Sequence, residues 1–159
     1  MSPDDGSGEL LKDACDLVIS DDDLRPRDGR TFCNIGSLTV AQAMGCTEFD
    51  TEGDPLMADE MIALMEANAS GKWSVASSSS EAALHALDGK LGFAAKTSAE
   101  LGEAHGHLCV IYPASQQWSG SWGKEVPMCA NVGRQNGEEK VSSAFPVNCG
   151  EPTYYLWSI

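Results

Sequence analysis

Ala104-His105-Gly106-His107-Leu108-Cys109-Val110-Ile111-Tyr112 is the stretch on which the fold turns. From His107 onward it is a short, unbroken run of apolar and β-branched side chains, which suits a buried strand better than a helix. Three further segments share that character. Leu91 to Lys96, Glu125 to Val132 and Thr153 to Ile159 are short, rich in aromatic or β-branched residues and punctuated by Gly and Pro. Together the four predict an antiparallel sheet built from the second half of the chain.

Before residue 90 the apolar spacing changes to that of helices. Residues 10, 11, 14, 15, 17, 18 and 19 predict an amphipathic helix from Leu10 to Ile19, stopped by the acidic, Pro-containing loop Ser20 to Arg30. Cys33 to Met44 has the same spacing and ends at Gly45, a favoured helix stop. Asp59 to Ala69 carries a stripe of Met61, Ile62, Leu64 and Met65. Glu81 to Leu87 follows Ser78, and the pair Ser78 and Glu81 forms the Ser-x-x-Glu capping box. Helices first and strands second predict an α+β domain over residues 1–159, its helices packed on one face of an antiparallel sheet.

Composition limits the function. The 159 residues are 42% apolar and 21% charged, with 16 Gly and 7 Pro, which excludes collagen-like, coiled-coil and wholly disordered chains. The net charge of -14, concentrated in the first 60 residues, repels phosphate and argues against nucleic-acid or anionic-membrane binding. No apolar run approaches the ~20 residues of a transmembrane helix. The start, MSPDDGSGELLKD, lacks the basic and apolar regions of a signal peptide. Six cysteines, at 15, 33, 46, 109, 129 and 149, include no C-x-x-C pair, so zinc-ribbon and thioredoxin-type sites are not expected. Asp21, Asp22, Asp23 and Asp28 read as a solvated loop in preference to a calcium site, and Asp50-x-Glu52-x-Asp54 fails the EF-hand pattern at Pro55. No metal or cofactor is expected.

One constellation suits nucleophilic catalysis. Cys33 falls at a helix N-terminus, where unpaired N–H groups and the helix dipole favour a thiolate. His107 opens the best strand, so a rigid element would hold its imidazole. Asn131 lies on a segment able to pair with that strand and to orient the ring by one hydrogen bond. Each has a plainer reading: a small buried hydrophobe for Cys33, a strand-end residue bonding its own backbone for Asn131. His105 is the rival base, two residues away, and His85 sits inside a helix. The other five cysteines read as structural. Trp118 and Trp122, on the Gly-rich segment Gln116 to Pro127, form either an aromatic wall for substrate or a hairpin whose rings cover the core edge.

Taken together these residues resemble the NlpC-type and CHAP-type papain-like amidases that cut peptide bonds in bacterial peptidoglycan. The resemblance runs from Thr31-Phe32-Cys33-Asn34 through Gly106-His107-Leu108-Cys109-Val110-Ile111 to Tyr154-Tyr155. In length and layout the chain is most similar to the small single-domain amidase effectors of the type VI secretion system. It departs from the family pattern around the cysteine, where Phe32 precedes and Asn34-Ile35-Gly36 follows. The resemblance implies a papain-like fold, with Cys33 as nucleophile, His107 as base and Asn131 as third residue, hydrolysing stem peptides through a thioester. It further implies a monomer exported to the periplasm or cell wall, with an immunity protein as partner. Two alternatives stand beside it: a cysteine hydrolase or deamidase acting on a protein, and a papain-like binding module without catalysis.

Overall fold

A computed structural model describes residues 7–159; residues 1–6, part of the start read above for a leader, lie outside the described residues. Helix α1 (Ser7–Ser20) buries Leu11, Ala14, Cys15 and Val18, one side of three turns. Helix α2 (Cys33–Ala43) ends where Gly45 takes a φ of +82°, and α3 (Ala58–Ala67) ends on Asn68, also left-handed. Helix α4 (Ser79–Leu87) begins as its capping signal requires, with Ser78 Oγ accepting the Glu81 N–H. The acidic loop between α1 and α2 is tied down at Leu24, which is buried, and at a two-residue turn through Asp28 and Gly29 bridged by Arg27 and Arg30.

Six strands form one sheet, and every pairing in it is antiparallel. In sequence they are β1 (Trp73–Val75), β2 (Gly92–Lys96), β3 (His107–Ile111), β6 (Met128–Asn131), β7 (Gly137–Lys140) and β8 (Thr153–Trp157). Their spatial order is β1-β8-β2-β3-β6-β7, so the strand opened by His107 is central. A separate hairpin pairs β4 (Gln117–Ser119) with β5 (Lys124–Val126). Two short helices, α5 (Ser98–Leu101) and α6 (Val141–Ala144), flank the sheet strands. The fold is thus α+β, with its long helices in the first half and its antiparallel sheet in the second, β1 excepted.

The segment Glu125 to Val132, expected as one strand, is two. Pro127 lacks the N–H a ladder needs, so β5 stays with β4 while β6 joins the main sheet. Strand β7 escaped the reading because its residues, Gly-Glu-Glu-Lys, are those of a charged edge and carry no apolar run.

The core holds the aromatic cluster Phe49, Trp73, Phe93 and Trp157, with Phe49 5.8 Å from Trp73 and 5.7 Å from Phe93 between ring centroids. Half-buried Glu48 accepts both indole N–H groups, Trp73 Nε1 at 3.0 Å and Trp157 Nε1 at 2.6 Å. One carboxylate therefore ties edge strand β1 to β8. Glu48→Ala leaves two indole donors unpaired, and a loss of about 2–4 kcal/mol in urea unfolding is expected, with Glu48→Gln recovering part of it. No helix among the described residues is long and apolar enough to cross a membrane.

Candidate active site

His107 and Asn131 meet across the β3–β6 pair. The ring's Nε2 lies 2.7 Å from Asn131 Oδ1. The orientation of that amide is fixed by its other end, since Asn131 Nδ2 donates to Gln135 O at 2.9 Å and to Glu139 Oε1 at 2.7 Å, both of which only accept. Oδ1 must therefore face the ring, and His107 Nε2 must carry the proton. In the neutral imidazole this leaves Nδ1 with a lone pair, free to take a proton. The Phe145 ring packs beside the imidazole at 5.2 Å between centroids.

One glycine makes room for the histidine ring and a second lets the chain pass close to α3 just before it. A Cβ at Gly133 would lie 3.1 Å from His107 Cε1, so any side chain there would press on the ring. Gly106 runs against the carboxylate of Asp59, leaving no space for a Cβ. Asp59, at the start of α3, also accepts the N–H and hydroxyl of Ser98, and so fastens the loop that leads into His107.

Cys33 is the first residue of α2, as expected, and is 7% exposed. The helix start has no side-chain cap, so its N–H groups are unclaimed. Those of Cys33 and Asn34 favour the thiolate, and so does the Leu108 N–H one residue beyond His107. Burial outweighs them and pushes the thiol above its ordinary value. The sequence pointed the other way, toward a depressed thiol, because a helix dipole is legible in a sequence and the depth of burial is not. Burial likewise lowers the imidazole of His107, with the Asn131 bond opposing it. At neutral pH the resting side chains are a neutral thiol and a neutral imidazole.

A cleft of about 790 Å³ opens over His107 and Asn131; Cys33, buried at the start of α2, is not among its lining residues. Thr31, Gly106, His107, Asn131, Gly133 and Glu139 line it, along with the α6 segment that brings Phe145. His105 also lines it, but stands outside β3 and is exposed, whereas His107 is half-buried and held by Asn131. His85 is held elsewhere, its Nε2 2.9 Å from Leu91 O and 3.1 Å from Trp157 O. Cys15, Cys46, Cys109 and Cys129 are buried and unbridged, and Cys149 is half-buried and free.

No family model matches the chain, and no curated protein matches it. The site therefore stands on its own geometry.

Trp118 and Trp122 are not among the residues lining this cleft. They sit on and beside the β4–β5 hairpin, where Trp118 is 58% exposed and Trp122 packs on the core. Pro127 separates that hairpin from the strand carrying Asn131, so the two rings stand apart from the cleft that His107 lines. Conversely, the sequence reading missed Glu139, Gln135 and Asp59. Glu139 is found only once β6 and β7 are paired in register, which sets it opposite Cys129 and within reach of Asn131.

Asn131→Ala removes the bond that orients the ring. A 10- to 100-fold fall in kcat, corresponding to one hydrogen bond to a buried group, is expected in steady-state assays. The histidines also set an acid limit on stability. His85 and His107 are both held neutral in the fold, their values lowered by burial. Below the ordinary imidazole value of about 6.5 the unfolded chain binds protons that the folded chain refuses, so stability falls as pH drops from there toward the depressed folded values. Urea midpoints measured from pH 7.5 downward check this, and His85→Gln is expected to flatten part of the slope.

Proposed function

We propose that the protein is a papain-like cysteine amidase that hydrolyses peptide bonds in peptidoglycan stem peptides. The observation that carries this reading is the bond from His107 Nε2 to Asn131 Oδ1, fixed by Gln135 and Glu139, which leaves Nδ1 as the basic nitrogen. An uncapped helix start at Cys33, against the strand that His107 opens, supplies a nucleophile and backbone donors in the order Cys, His, Asn. The resemblance in sequence to NlpC- and CHAP-type enzymes supplies the substrate class.

In this mechanism His107 Nδ1 takes the proton from the Cys33 thiol as sulfur attacks the amide carbonyl. Burial favours the neutral form of both groups, so this step starts from a neutral thiol and a neutral ring. The oxyanion is stabilised by N–H groups of the α2 start, including that of Cys33. The His107 imidazolium then protonates the leaving amine, and the neutral ring activates water to hydrolyse the thioester. Incubating the protein with purified sacculi and resolving the soluble products tests the reading. New muropeptides with cleaved stems are expected; an unchanged profile with correctly folded wild-type protein would overturn it.

A further inference from the structure

Arg134 is the only Arg or Lys among the residues lining the cleft. That is notable in a chain of net charge -14, whose overall field repels anions. Arg134 stands in the turn between β6 and β7, three residues beyond Asn131. Its Nη2 bonds Glu103 Oε1 at 2.9 Å, and Glu103 belongs to the loop after α5 that leads into His107. The ion pair therefore joins two segments that both line the cleft. The Arg134 side chain is 86% exposed, so its remaining donors face water, while the other acid lining the cleft, Glu139, is engaged by Asn131.

We infer that Arg134 is a specificity residue that binds a free carboxylate of the peptide substrate, with Glu103 holding its guanidinium in place until that carboxylate arrives. This rests on the amidase reading above and names the kind of peptide the site prefers: one bearing free carboxylates near the scissile amide. The physical basis is exchange. An exposed ion pair is weak, so replacing Glu103 by a substrate carboxylate exchanges one anion for another at little cost. A guanidinium presents a planar fork matched to a carboxylate, which a carboxamide fills poorly because its NH2 opposes the guanidinium donors. Discrimination between acid and amide follows from that mismatch.

The test compares two stem peptides identical except that the carboxylates of one are carboxamides in the other. KM and kcat are measured for wild type, Arg134→Gln and Glu103→Gln. Wild type is expected to prefer the carboxylate peptide through KM. Arg134→Gln is expected to raise KM for that peptide roughly tenfold or more, as for loss of a charge-assisted bond, and to erase the preference. Glu103→Gln, which frees the guanidinium, is expected to leave that KM equal or lower. If the two substitutions raise KM alike, or Arg134→Gln affects both peptides equally, the pair is a structural strap and the inference falls. Calorimetric binding of both peptides to Cys33→Ala reads the same preference without turnover. Preferential binding of the carboxylate peptide with no hydrolysis by wild type would sink the amidase reading and keep this one; equal binding of both peptides would sink this one.

Discussion

On the amidase reading, Cys33→Ala is expected to leave sacculi intact, with no stem cleavage above the buffer control, while its circular dichroism matches that of wild type. This is the largest effect expected of any single substitution, because removing the nucleophile from a unit of mutually dependent groups costs about as much as removing the whole unit. The fold survives because the substitution removes only a sulfur from a position on the first turn of α2, and that turn keeps Gly36 N–H on Phe32 O. Equal activity in Cys33→Ala and wild type would refute the assignment. The same substitution at Cys109 or Cys129 is expected to cost about 1–3 kcal/mol of stability and to leave per-molecule activity largely unchanged, since both thiols are packed in the core.

His107→Ala is expected to lower kcat by about 10²–10⁴, the usual contribution of a positioned general base, with little change in KM. His105→Ala is the control: exposed and outside the strand, it should cost far less. Reversal of that order would move the base to His105. The pH profile adds a second readout. With the imidazole lowered by burial, activity should persist below pH 6.5 before the ring protonates; with the thiol raised, Cys33 should alkylate slowly at neutral pH and faster as pH rises. Slow labelling at neutral pH follows from the burial of Cys33 in either case, so it does not by itself mark a binding module.

Periodicity and caps made most of the fold readable. Helices α2 and α4 lie where apolar spacing and the residues Gly45 and Ser78 put them, because each carries its own local start or stop, and α3 follows its stripe of Met61, Ile62, Leu64 and Met65 but stops at Asn68, short of the expected Ala69. Strands β2, β3 and β8 are apolar or aromatic apart from the terminal Lys96, His107 and Thr153, so burial left its mark on composition. Strand β7 left none: its Glu-Glu-Lys pattern faces partners and solvent at an edge, and only long-range pairing reveals it. The site divides on the same line. His107 and Asn131 were reachable from strand order, but Glu139, which fixes the amide, depends on register. Trp118 and Trp122 were legible as a pair on a Gly-rich segment, but their distance from the His107 cleft depends on Pro127, which parts their hairpin from the main sheet.

Three of the four tryptophans, Trp73, Trp157 and Trp118, fall into two contrasting optical settings. Trp73 and Trp157 share Glu48 inside the aromatic cluster, so their emission belongs to a dry, rigid setting and will not respond to an added aqueous quencher. Trp118 stands in water on the hairpin and is open to collision with iodide. Iodide-accessible fluorescence thus follows Trp118 on the hairpin, and the shielded remainder joins the seam between β1 and β8 to half-buried Trp122. A ligand that settles in the His107 cleft should leave the iodide-accessible signal nearly still, whereas one that docks on the hairpin should protect it.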